Sequence, residues 1–221
     1  MLEIYKDTTV KPINPIILDI GCSVGTESIK LIEAFPDFRQ LISIDPFHEN
    51  TNKVKQLIET KGLSDRWSTE CCAIGLNNEE VWVTYGTCSE SKTPSCGLPM
   101  ELVGNLVDIN NIRPESNRLI ETKRIINICP NPDIMKIDIE GFEWVMWEEI
   151  FGIESVKLIF LELHGQGGLD LGAKLKVVRD KGFSIKAYQH QSMDSTNTNH
   201  ADIEAYSPTP GNYIQITLER P

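Results

Sequence analysis

The sequence predicts an open, doubly wound α/β sheet. Three observations lead there. Short apolar runs bounded by turn residues recur along the chain, and several are nearly continuous, as in strands buried on both faces of a parallel sheet. Between them lie segments whose apolar residues repeat at helical spacing. In the first half the two alternate cleanly, the pattern of successive strand–helix units.

Taken in order, Ile16–Ile20 (IILDI) is the first strand. A helix follows from Thr26, with Leu31, Ala34, Phe35 and Phe38 at i, i+3, i+4 and i+7. Pro36 stops it before Phe38, because proline has no N–H to continue the ladder. Leu41–Asp45 (LISID) is the second strand, and Asn52–Lys61 carries Val54, Leu57 and Ile58 on one helical face, with Gly62 as its C-cap. Thr69–Ile74 (TECCAI) and Val81–Tyr85 (VWVTY) read as strands, as does Ile134–Ile139 (IMKIDI). Phe142, Val145 and Met146 form a third helical stripe ahead of the strand Leu158–Leu163 (LIFLEL). Leu171, Leu175 and Val178 form a fourth, closed by Gly182, before the strands Phe183–Tyr188 (FSIKAY) and Tyr213–Leu218 (YIQITL).

Two stretches break the rhythm: a polar insert at about 86–122 and a polar loop at about 189–212. Loops beyond about 12–15 residues are usually functional or disordered. The insert is expected to fold over the crevice and shape an acceptor pocket.

The 221 residues suit a single domain over 1–221, and 40% hydrophobic with 24% charged residues is ordinary for a globular chain. A net charge of −11 repels phosphate backbones, so no nucleic-acid partner is expected. No run approaches the ~20 apolar residues of a membrane span, and MLEIYKDTTV lacks a signal-peptide core. The expectation is therefore a cytoplasmic protein away from membranes. Composition leaves the oligomeric state open. Cys22, Cys71, Cys72, Cys88, Cys96 and Cys129 form no CxxC pair, and only Cys88 and Cys96 stand in a loop free to pair.

The chemistry concentrates at strand ends. Asp19-Ile20-Gly21-Cys22-Ser23-Val24-Gly25-Thr26-Glu27 follows a strand and opens a helix. Gly21 permits a tight turn and Gly25 a close backbone approach to a ligand. Ser23 stands where a GxGxxG dinucleotide fingerprint needs glycine, which counts against a nicotinamide cofactor. Asp45, before Pro46 at the end of the second strand, is placed to accept hydrogen bonds from ribose hydroxyls. Cys72 and Ala73, at the third strand's end, are candidates to flank an adenine. Turn and acid together describe a site for a nucleoside without a bound pyrophosphate, which S-adenosyl-L-methionine fits.

The segments DIGCSVGTESI, SIDPFH, CAIG, MKIDIEGFEW and FLELH resemble the FkbM family of S-adenosylmethionine-dependent methyltransferases. Lys136–Glu143 is similar to that family's KIDxEGxE motif, and the resemblance runs from about Ile16 to His164. It implies a class I methyltransferase fold with a seven-stranded sheet, and methylation of a hydroxyl on a small-molecule or glycan acceptor.

In that topology the strands ending at Asp138 and at Glu162 are neighbours. Strand alternation then sends Asp138 and Glu140 to one face, and Glu162 and His164 likewise. A hydroxyl must lose its proton as it is methylated, and His164 is the first choice of base, Asp138 the second. Asp138 is alternatively an anchor for the methionyl amino group. The DxE…ExH set could hold a divalent cation, but its spacing is not diagnostic and no metal ligand is assigned. Glu143 reads as a helix cap, Lys136 as the partner of a carboxylate across the sheet, and Trp144 and Trp147 as core. His48, His190 and His200 lie in polar segments and read as solvated. N-methylation on the same fold and a non-catalytic nucleoside-binding module are the alternatives.

Overall fold

A computed structural model describes residues 2–6, 8–87, 94–96, 117–164, 171–192, 195–197 and 213–221. The order is α1 (Leu2–Lys6), β1 (Ile16–Ile20), α2 (Thr26–Ala34), β2 (Gln40–Ile44), α3 (His48–Lys61), β3 (Trp67–Glu70) and β4 (Ala73–Ile74). β5 (Glu80–Thr87), β6 (Pro94–Cys96), β7 (Asn117–Lys123), α4 (Ile125–Ile128) and β8 (Ile134–Ile137) follow. A 3-10 turn (Phe142–Trp144) leads to α5 (Trp147–Gly152), β9 (Leu158–His164), α6 (Leu171–Asp180), β10 (Ser184–Ser192), β11 (Ser195–Asn197) and β12 (Tyr213–Glu219).

The main sheet runs β11-β10-β12-β9-β8-β1-β2-β3. Pairing is parallel from β3 to β9, and β12 is antiparallel to both its neighbours. The α/β, doubly wound, mostly parallel architecture is as expected, with the three-residue β11 as an eighth strand. Successive residues of the central strands feed opposite layers. Ile17, Leu41, Ile134 and Leu158 pack with Tyr5, Leu31, Phe35 and Val54 on one face. Leu18, Ile42, Met135 and Ile159 pack with Trp147, Phe151, Leu175 and Val178 on the other. Strand order reverses between β1 and its neighbour β8, which opens a crevice at their carboxyl ends.

The element boundaries carry several corrections. The run Thr69–Ile74 is two strands: β3 ends at Glu70, whose carbonyl takes the Asp45 amide, and Ala73–Ile74 turns away to pair with β7. Val81–Tyr85 lies in β5, outside the main sheet, within a second sheet of order β4-β7-β5-β6. The helix expected from Asn52 begins at His48 because Asp45 already organises its first turn, and Gly62 closes it in the left-handed region at φ 64°. The stripe at Phe142, Val145 and Met146 is split between the 3-10 turn and the turn entering α5.

Within the insert, 88–93 and 97–116 lie outside the described residues, as do 193–194 and 198–212 of the polar loop, and hence any pairing of Cys88 with Cys96. Cys22, Cys71, Cys72 and Cys129 are free thiols. Among the described residues no helix is long and apolar enough to cross a membrane.

Candidate functional site

The β1–α2 turn is built around a clash that only glycine avoids. Gly21 has φ 76°, and a Cβ there would lie 1.7 Å from the Asp138 carbonyl oxygen. Gly21 and Cys22 both donate to the Ile44 carbonyl, at 2.9 and 3.0 Å, so the turn is pinned to the end of β2. Gly25, at φ 85°, caps α2 without a side-chain hydrogen bond, and its missing Cβ admits Leu57 and Val54 of α3. Helix packing therefore accounts for part of what was read as ligand approach. The first N–H groups of α2 are left without a capping side chain, the arrangement that receives an anion.

Asp45 sits beside this turn, 5% exposed. Its Oδ2 accepts the Ser23 amide at 3.0 Å, and Oδ1 accepts Phe47 N–H at 2.9 Å and Asn50 Nδ2 at 3.0 Å. Burial raises its pKa to about 6 against these hydrogen bonds. Oδ2 keeps a lone pair for a further donor. Pro46 follows, its carbonyl 3.7 Å from Cys71 Sγ.

Asp19 does not reach a ligand surface. It is fully buried, accepts from Ser28 Oγ, and faces Lys136 Nζ at 3.6 Å. Lys136 donates to the Gly21 carbonyl at 2.9 Å and stands 3.5 Å from Asp138 Oδ2. The cross-sheet pairing expected of Lys136 is thus present. Burial disfavours its charge, yet Asp138 and Asp19 hold its pKa above the ordinary value. Cys22 is buried and its thiol pKa is pushed up by desolvation, so it packs and does not react. Cys72 is fully buried in the core with Ile74 and Ile125, which corrects its expected place against an adenine, and Ala73 has left the main sheet.

A pocket of about 240 Å³ opens beside these groups, lined by Tyr5, Glu27, Lys136, Asp138, Glu162 and Tyr213 among others. Tyr5 Oη donates to Glu27 Oε2 at 2.6 Å, and Lys30 pairs with Oε1. Glu162 is held by Gln215 Nε2 at 2.8 Å, and burial pushes its pKa to about 7.

Behind Asp138 and Glu162 stands His164. Its Nε2 faces Glu140 Oε2 at 3.5 Å, Glu162 Oε1 at 3.6 Å and Asp138 Oδ1 at 3.9 Å. Nδ1 meets Glu143 Oε1 at 3.2 Å. Burial works against the ring's charge, but Glu143 and then Asp138 and Glu140 raise its pKa to about 9. The four ionisable groups expected here do converge, by a different route: β8 ends at Ile137, and Glu140 (φ 56°) and Gly141 (φ 101°) form a left-handed turn that swings Glu140 back toward the ring.

Glu143 was missed. It does not cap the following helix; fully buried, it accepts the Ile139 amide at 2.8 Å and holds the imidazole. The EGxE spacing was the available signal. Trp144 and Trp147 are core as expected, stacked at 5.7 Å, with Trp144 Nε1 donating to the His164 carbonyl at 2.7 Å. His48 is exposed; His200 lies outside the described residues, as does the side chain of His190.

No protein-family model matches the chain, and no curated protein does. Solved structures do. A methyltransferase FkbM from Methylobacillus flagellatus aligns over 92% of this chain and 43% of its own, at 17% identity and TM-score 0.53. The Bacillus subtilis m1A22 tRNA methyltransferase TrmK aligns over 100% of this chain and 65% of its own, at 8% identity and TM-score 0.49. TrmK of M. capricolum, solved with S-adenosylhomocysteine, aligns over 99% and 66%, at 16% identity and TM-score 0.47. This chain spans less than half of the Methylobacillus protein. The fold is that of class I methyltransferases. One expectation is corrected by these findings: a small-molecule or glycan acceptor and no nucleic acid were expected, and tRNA methyltransferases stand among the similar structures.

Proposed function

We propose that the chain is an S-adenosylmethionine-dependent methyltransferase of the FkbM type that acts on oxygen. The observation that carries this reading is the Gly21–Gly25 turn, whose uncapped helix N-terminus opens beside an acid-lined pocket. The residues fit such a cofactor. The free N–H groups of α2 would receive its carboxylate, Asp138 its ammonium, and the spare lone pair of Asp45 a ribose hydroxyl. When bound, the cofactor supplies an activated methyl group on a sulfonium.

The remaining work falls to the protein. Alignment of acceptor, methyl and sulfur is the main requirement of an in-line transfer, and rigid neighbours at the β1, β8 and β9 ends provide it. Glu162 lines the pocket and is fixed by Gln215, so it takes the acceptor's proton. His164 does not line the pocket, and both its ring nitrogens face carboxylates, which moves it from base to positioning residue. Asp19 and Lys136 hold the turn against β8. Transfer of a radiolabelled methyl group to fractionated acceptors tests the reading. It predicts a base-stable methyl ether as product; exclusive methylation of nitrogen would refute the choice of oxygen.

A further inference from the structure

The carboxylates around His164 are arranged for more than an ion pair. Nε2 has three carboxylate oxygens around it at 3.5, 3.6 and 3.9 Å, all beyond the ~2.7–3.2 Å of a good hydrogen bond. Two ligand atoms each ~2.1 Å from one cation stand about 3.0–3.4 Å apart at octahedral or tetrahedral angles, and about 4.2 Å apart when opposed. The three distances at Nε2 lie between those cases, within the span that one cation can bridge. Asp138, Glu143 and His164 each offer one such atom, all within 4.8 Å of one another. A second observation is independent of this spacing. Glu143 is fully buried, and while Oε1 serves Ile139 and the ring, Oε2 has no hydrogen-bond donor among the described residues. A buried carboxyl oxygen left so is costly unless a donor or a cation meets it.

We propose that Asp138, Glu143 and His164 form a binding site for a divalent transition-metal ion, with Glu140 and Glu162 at its margin. Imidazole together with carboxylates favours ions of the manganese–zinc class over calcium. Asp138 can serve it without leaving Lys136, because Oδ1 faces His164 and Oδ2 faces the lysine. The site stands next to the pocket at Asp138 and Glu162, where a cation would polarise an acceptor oxygen. The inference does not require the methyltransferase reading.

The test is a Mn²⁺ titration of the cofactor-free chain, followed by the free-ion electron paramagnetic resonance signal and by broadening of histidine ring resonances. We expect one ion per chain, with His164 broadened before His48, which is exposed on α3 and reports surface binding. Asp138→Asn should weaken uptake at least ~10-fold, and Glu140→Gln, on a half-exposed side chain, should weaken it while leaving the fold intact. No uptake up to millimolar Mn²⁺, or equal broadening of His48 and His164, overturns the site. A chain that binds S-adenosylmethionine but takes up no Mn²⁺ refutes the cation site alone.

Discussion

Glu143 Oε1 lies 3.2 Å from His164 Nδ1 and accepts the Ile139 amide at 2.8 Å, so one buried oxygen ties the turn after β8 to the end of β9. Trp144 closes the same link from the next residue, donating to the His164 carbonyl. Glu143→Ala leaves the part-buried Ile139 amide without an acceptor and should cost about 1–3 kcal/mol. Glu143→Gln keeps an acceptor oxygen and should cost less. Urea unfolding of both variants measures the difference, and equal stabilities would show that the tie is idle.

Two glycines of positive φ separate strain from collision. At Gly62 (φ 64°) a Cβ meets nothing within 4 Å, so Gly62→Ala should cost about 1 kcal/mol for conformation alone. At Gly21 the added carbon runs into the Asp138 carbonyl, so Gly21→Ala should be several-fold more destabilising and should abolish cofactor binding. Thermal unfolding ranks them; similar losses at the two sites would mean that the turn can open.

Asp45 gives a pH signature. Its pKa is raised from 3.8 to about 6, so between those values the folded chain holds a proton that the unfolded chain has released. Stability should therefore fall as pH rises from about 4 to 6, by up to about 3 kcal/mol. Affinity for S-adenosylmethionine should run the other way, rising through pH 6 as the carboxylate becomes an acceptor for ribose. Asp45→Asn should flatten both profiles, and a pH-independent affinity in the unmodified protein would remove Asp45 from the ribose site.

Glu162→Gln keeps the side chain's size and its place beside Gln215 but cannot take a proton. Methyl transfer should fall by ~10²–10⁴ with the cofactor dissociation constant unchanged. Turnover within a few-fold of normal would assign proton removal to another group or to water.

Legibility followed the physics of each element. β1 and β9 were readable because both their faces are buried, which leaves unbroken apolar runs. α1 was not, since five residues show no periodicity. The second sheet escaped because Ala73–Ile74 and Val81–Tyr85 look like main-sheet strands until their partner β7 is seen. Asp19, Asp45, Asp138 and His164 were singled out from their positions at strand ends, yet sequence position could not show that Asp19 faces inward or that Cys72 joins the core. Glu143 was hidden for the same reason: its partner lies 21 residues away, across the sheet.

Calorimetric titration with S-adenosylmethionine tests the central claim most directly. The account predicts saturable binding at one site per chain, lost in Gly21→Ala and weakened by about 1–3 kcal/mol in Asp45→Ala, the scale of a hydrogen bond to a charged group. Absence of binding to S-adenosylmethionine, together with tight binding of NADH, would contradict it.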